Sequence, residues 1–84
     1  MDTVKYRDGS SAQIARYVVG DVWDGPHALD FGLNRRKAVA FAKKETDVFT
    51  GHHSGLSVYG LGPDNQPYAI WHVAYGSVGR RVDP

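Results

Sequence analysis

The amino-acid sequence predicts an α+β fold: a single antiparallel sheet of four or five strands with one helix packed on one face. Three observations support this prediction. Short runs of alternating and β-branched residues lie towards both ends of the chain, one helical pattern lies between them, and Gly, Pro, Asn and Asp separate the runs. The order of two or three strands, one helix and two strands suits a single domain over residues 1–84.

The strands before the helix follow from alternation and turn residues. Residues 4–7 alternate and lead into Asp8-Gly9, a strong hairpin signal. Residues 13–22 contain β-branched and aromatic side chains and are predicted to form one continuous strand. Residues 27–31 alternate again and are expected to pair with that strand.

The helix is predicted from Asn34, a suitable N-cap, to Phe49. Glu45 breaks the apolar stripe, which leaves open an earlier end of the regular helix near that residue. Its charges oppose the helix dipole, and each such placement costs about 0.3–1 kcal/mol at low salt. Two explanations stay open: the surface charge drifted freely, or the basic end faces an anionic partner. The residues concerned are Arg35, Arg36 and Lys37 in the first turn, and Glu45 and Asp47 in the last.

Two strands and a tail are predicted after the helix. Residues 56–61 form one strand, and residues 67–75 form a longer one that is partly apolar on both faces, so we expect it inside the sheet. Residues 76–84 are glycine-rich and basic, and are predicted to be a flexible tail. The apolar pattern predicts a core that includes Ile14, Val18, Leu29, Phe31, Ala38, Phe41, Phe49, Val58 and Ile70.

Composition limits the classes of function. The chain has no cysteine, and its first residues lack the apolar run of a signal peptide, so we expect a cytoplasmic location. No apolar run approaches the roughly 20 residues of a membrane helix, so no membrane partner is expected. The net charge is only +1, and any electrostatic argument about partners must therefore be local.

No set of residues predicts catalysis. Ser54 follows His53, but neighbours in sequence rarely meet in the geometry of a catalytic triad. Three histidines and a carboxylate could hold zinc, yet the spacing of His27, His52, His53 and His72 matches no known zinc site. We therefore expect no enzyme activity, no cofactor and no metal.

The aromatic residues favour recognition of a partner. Trp, Tyr and Arg are common anchors of protein interfaces. Exposed strand aromatics beside basic residues can also stack the bases of single-stranded RNA. An uncovered sheet face could instead pair with a second copy of the chain in a homodimer. The rings considered for base stacking are Tyr59, Tyr68, Trp71 and Tyr75, with Arg80 and Arg81 in the tail nearby.

Residues 17–75 resemble small phage and mobile-element proteins of β-β-α-β-β type, including some anti-CRISPR proteins. The matching stretches are ARYVVGDVW, NRRKAVAFAKKETDVFTG and GLSVYGLGPDNQPYAIWHVAYG. This resemblance implies a cytoplasmic inhibitor that binds a protein or ribonucleoprotein and catalyses nothing. It carries over no individual site residue, and the Asn34 cap followed by three basic residues departs from the pattern.

The sequence therefore predicts a non-enzymatic phage or mobile-element protein that binds and inhibits or modulates a host protein or ribonucleoprotein complex. The alternative is a small nucleic-acid-binding domain that uses the basic helix and the sheet aromatics. The predicted partner-binding residues are Arg35, Arg36, Lys37, Lys43, Lys44, Trp23, Tyr59 and Trp71.

Overall fold

The computed structural model describes residues 1–21 and 29–83. It confirms the α+β class: the described residues form one helix, a five-stranded antiparallel sheet and a separate two-stranded sheet. The elements are β1 (Asp2–Lys5), β2 (Ser11–Ile14), β3 (Arg16–Asp21), β4 (Leu29–Asp30), α1 (Arg35–Glu45), β5 (Gly55–Leu61), β6 (Pro67–Ala74) and β7 (Ser77–Val82).

The five-stranded sheet has the order β4-β3-β5-β6-β7, and all its neighbouring strands are antiparallel. The long strand β6 therefore lies inside the sheet, as its apolar residues on both faces indicate. The short strand β4 pairs with β3, as the alternation in residues 27–31 suggests. Residues 27 and 28 themselves lie outside the described part of the chain.

The prediction of one continuous strand over residues 13–22 is wrong. The strand is interrupted at Ala15, whose N–H donates to the Leu61 carbonyl at 2.7 Å, and the residues on either side belong to different sheets. Because of this break, Ile14 faces the same core as Tyr17 and not the side of Val18. Gly60 makes room for it, since a Cβ there would lie 3.1 Å from the Ile14 Cδ1 atom.

The helix and the β1–β2 hairpin cover the same face of the five-stranded sheet. Their apolar side chains form one core with those of β3, β5 and β6, in which Ile14, Ala38 and Val58 have no exposed surface. The opposite face carries a smaller cluster of Val18, Tyr59, Leu61 and, partly buried, Ile70. The predicted core is therefore confirmed at most positions but divided between two faces.

Two predicted core residues are on the surface. Leu29 is 45% exposed because it belongs to the two-residue edge strand β4. Phe49 is 94% exposed because α1 ends at Glu45, four residues before the predicted end. Thr46 caps the helix, and its buried hydroxyl donates to the Ala42 carbonyl at 2.8 Å and accepts from the Gly76 N–H at 3.1 Å.

The segment predicted to be a flexible tail contains an edge strand. Residues 77–82 form β7, which pairs with β6 through the two-residue turn Tyr75-Gly76. Both turn residues have positive φ, 50° at Tyr75 and 78° at Gly76, as in the hairpin turns that match the twist of a sheet. Residues 77–82 are therefore part of the sheet and not an irregular tail.

Candidate functional site

A groove lies where the β1–β2 hairpin approaches the start of α1. Its volume is about 1190 Å³, and the rings of Tyr17 and Trp71 are among its lining. Trp71 projects from β6 and Tyr17 from β3, and their ring centroids are 6.1 Å apart. An adjoining depression shares Lys5, Arg35, Trp71 and Arg81 with this groove.

The lining of these two depressions is rich in positive charge. Six of the ten lysine and arginine side chains in the chain line one or both depressions. Because the net charge of the whole chain is only +1, this concentration is a local property of the fold. We call the site the basic groove, and its cations are Lys5, Arg7, Arg35, Arg36, Arg80 and Arg81.

Two of the arginines lie against aromatic rings. The guanidinium carbon of Arg35 is 5.3 Å from the centroid of the Trp71 ring, and that of Arg81 is 5.8 Å from the centroid of the Tyr6 ring. Cation–π contacts of this kind hold a guanidinium in place while its N–H groups remain able to donate.

Both carboxylates that line the groove already have partners. Asp83 forms an ion pair with Arg81, at 2.7 Å between Oδ1 and Nε. Asp2 accepts a hydrogen bond of 2.6 Å from the Tyr17 hydroxyl. Burial of the ring, followed by this hydrogen bond, raises the pKa of Tyr17 to about 12. Within residues 1–21 and 29–83, no ion pair joins the other five groove cations to a carboxylate.

The start of α1 adds to the positive character of the groove. The Asn34 side chain accepts from the Lys37 N–H at 3.0 Å, which confirms the predicted N-cap. The first turn contains no acidic residue, so the guanidinium groups of Arg35 and Arg36 stand beside the positive end of the helix dipole. A helix start of this composition favours an anion nearby.

The other end of the helix differs from the prediction. Lys43 and Lys44 lie in the last turn, where positive charge is favourable. Asp47 lies beyond the helix and accepts from the N–H groups of Phe49 and Thr50. The opposition between charge and dipole is therefore confined to the first turn, apart from Glu45 at the last helical position.

The structure brings together only part of the predicted partner-binding set. Arg35, Arg36 and Trp71 line the basic groove, whereas Lys37 does not. Lys43 and Lys44 are in the last turn, about 12 Å along the helix axis from the first-turn arginines.

The two remaining rings of that set do not contribute to the groove. Tyr59 is only 8% exposed and lies on the opposite sheet face, so its ring offers little surface to a partner. For the same reason Tyr59 and Trp71 do not share a base-stacking surface. Trp23 lies outside the described residues.

Sequence reasoning did not assign Lys5, Tyr6 or Arg7 to the site. These residues come from the hairpin, and they reach the groove because the hairpin folds over the helix face of the sheet. The Tyr6 hydroxyl donates to the Tyr68 carbonyl at 2.7 Å, and Arg81 donates to the Lys5 carbonyl at 2.6 Å. No local pattern signals contacts between residues more than 60 positions apart.

The histidines do not gather in one place. His52 Nδ1 is 3.2 Å from a Glu45 carboxylate oxygen, and His72 Nδ1 is 2.8 Å from the hydroxyl oxygen of the buried Ser57. Among the described residues, no group of three or more His, Asp or Glu side chains is placed to hold a metal ion. His27 lies outside that part of the chain.

Comparisons with protein families, curated proteins and solved structures find no match to this chain. In the described part of the chain, the helix lacks the length and apolar character needed to cross a membrane.

Proposed function

We propose that this chain is a non-enzymatic binding protein that docks an anionic surface of its partner in the basic groove. The observation that carries the proposal is the convergence of six cations from three separate segments on two adjoining depressions with aromatic rings in their lining. Arg and aromatic side chains are the residue types that contribute most to binding energy in interfaces.

The partner in this proposal is a host protein or ribonucleoprotein complex in the cytoplasm, which the chain inhibits or modulates. The resemblance to phage and anti-CRISPR proteins supports a partner of this kind. The cations of the basic groove support a partner with an anionic surface. Unpaired cations at the first turn of α1 destabilise that turn in the free protein, and an anionic partner would reverse this effect.

The test is capture of partners from cells of the natural source with three tagged proteins. These are the wild type, the groove variant Arg35→Gln/Arg36→Gln and the control Lys43→Gln/Lys44→Gln, which removes the same charge from the other end of α1. Partners that bind the wild type and the control but are lost from the groove variant support the proposal. Equal capture by all three proteins, or no specific capture by any, contradicts it.

A second candidate function is direct binding of single-stranded nucleic acid in the same groove. The contact between Arg35 and Trp71 favours it, because guanidinium planes and indole rings both stack on bases. Binding would then fall steeply with salt, since displaced counterions drive it. Absence of a mobility shift with single-stranded RNA and DNA at about 50 mM salt would exclude this function.

A further inference from the structure

The outer edge of β1 presents backbone groups to the basic groove. In a strand, the N–H and C=O groups of one residue point to the same side, and successive residues alternate. Tyr6 points towards β2, because its N–H donates to the Ser10 carbonyl at 2.9 Å and its carbonyl accepts from Gly9. The backbone groups of Thr3 and Lys5 therefore point away from β2.

These outward groups face the groove. All four consecutive residues of β1 line the groove. Because side chains alternate between the two faces of a strand, one face alone would contribute only every second residue, so the edge of β1 faces the groove. The Lys5 carbonyl accepts its hydrogen bond from Arg81, a residue of β7 that also lines the groove. Among the described residues, β2 is the only strand paired with β1.

The groove also contains apolar surface beside its cations. Leu33 is 47% exposed and Val78 is 39% exposed, and both line the groove with Val39 and Trp71. An extended peptide against β1 would direct alternate side chains towards this surface and the others towards the solvent side, where Lys5 and Thr3 project. The site therefore suits a peptide in which apolar and acidic residues alternate.

We infer that the basic groove binds an extended acidic segment of a partner protein, which adds a strand to the outer edge of β1. Main-chain hydrogen bonds to the N–H and C=O of Thr3 and to the N–H of Lys5 align the segment, since the Lys5 carbonyl already accepts from Arg81. Apolar residues pack towards Trp71 and Val39, and acidic residues pair with Lys5, Arg35 and Arg36. The four residues of β1 offer about 13 Å of edge. This inference rests on the proposed function and names the chemistry of its partner.

The test uses a fluorescent peptide in which glutamate and valine alternate, with anisotropy as the readout. Thr3→Pro removes one outward N–H without removing charge or a main-chain bond to β2. The hydrogen bond that the Thr3 hydroxyl accepts from the Gln13 side chain is lost in this variant and in its control alike. Gln13→Pro is the matched control, because Gln13 lies opposite Thr3 in β2 and its N–H points away from β1. We expect Thr3→Pro to weaken binding about tenfold, since one hydrogen bond is lost, and Gln13→Pro to leave it unchanged.

Hydrogen exchange on the wild-type protein tests the same point if a proline variant fails to fold. Exchange of the Thr3 and Lys5 amides should slow when the peptide binds, because new main-chain bonds protect them. A peptide with N-methylated backbone nitrogens keeps its charge but should neither bind well nor protect these amides. Binding without protection at Thr3 and Lys5, or equal binding by the N-methylated peptide, overturns strand addition.

Two further outcomes separate the failure of this inference from failure of the proposed function. If polyglutamate and the alternating peptide bind equally and Arg35→Gln/Arg36→Gln weakens both, the anionic site stands and strand addition falls. If neither probe binds while oligothymidylate does, the second candidate function replaces both. Absence of binding by every probe overturns the strand inference, and the capture experiment then decides on the proposed function independently.

Discussion

At Tyr17 a single hydroxyl group joins the five-stranded sheet to the β1–β2 hairpin. Tyr17 is 2% exposed, and its O–H donates to Asp2, the first residue of β1. Because the hairpin forms one wall of the basic groove, this contact positions the wall as well as stabilising the fold.

The raised pKa of Tyr17 predicts how stability depends on alkaline pH. The folded-state pKa is about 12 against an ordinary value of 10.0, so the folded chain holds this proton more tightly than the unfolded chain. The corresponding stability is fully present below pH 10 and is lost as pH rises from 10 to about 12. Urea unfolding of Tyr17→Phe over this range should show a shallower decline than the wild type; an equally steep decline would contradict the assignment.

The turn between β6 and β7 offers a stabilising substitution. Tyr75 adopts a φ of 50° although its ring is 65% exposed, so it bears the strain of a left-handed conformation with little burial in return. Tyr75→Asn should raise the free energy of unfolding by about 0.5–1 kcal/mol, because Asn-Gly suits this turn. Gly76→Ala should lower it, and a lower denaturant midpoint for Tyr75→Asn would refute the argument.

Single residues also show which buried positions the sequence predicts and which it does not. Ala38 and Ala42 follow from helical spacing, and both are buried. Phe49 continues the same spacing but projects into solvent, because Thr46 ends the helix through contacts with the distant Gly76. Hydrophobicity alone does not reveal where a tertiary contact stops an element.

In α1, the charged side chains of the last turn interact favourably with the helix dipole, and those of the first turn interact unfavourably. Lys43 and Lys44 complement the dipole in the last turn, whereas three basic residues occupy the first turn without an acidic one. The sequence indicated this first-turn imbalance correctly, because it depends on local order alone.

Charge reversal at the two ends of the helix should have opposite effects on stability. Arg36→Glu should raise the free energy of unfolding by about 0.3–1 kcal/mol at low salt, and Lys44→Glu should lower it by a similar amount. Both side chains are exposed, so packing changes little in either variant. Thermal unfolding at low and high salt checks this, since both effects should shrink as salt screens the charges. A loss of stability in Arg36→Glu would show that its charge has a structural role.

Two phenylalanines test which side chains belong to the core: Phe49 in the loop after α1 and Phe41 within α1. Phe49→Ser should leave the melting temperature nearly unchanged, because the ring is 94% exposed. Phe41→Ala should destabilise the chain by about 2 kcal/mol, since Phe41 packs against Phe31 with ring centroids 5.6 Å apart. If the two variants were equally destabilised, the placement of Phe49 on the surface would be wrong.

For the whole molecule, the basic groove depends on contacts that no local pattern contains. Its cations come from the first hairpin, the start of the helix and the last strand, and they converge only after folding. Arg35, Arg36 and Trp71 were predicted as partner-binding residues from helix order and strand composition, which are local, and all three line this groove. Lys5, Arg7 and Tyr6 were missed because the position of the hairpin depends on the break at Ala15 and on contacts with Tyr68 and Arg81.

In the proposed function, the basic groove receives the partner, and the rest of the basic surface does not. Titration of the isotopically labelled protein with short polyglutamate, followed by amide NMR shifts, tests it most directly. We expect the first and largest shifts at Thr3, Lys5, Arg35, Arg36 and Arg81. Shifts centred on Lys43 and Lys44, or spread evenly over all basic residues, would contradict it.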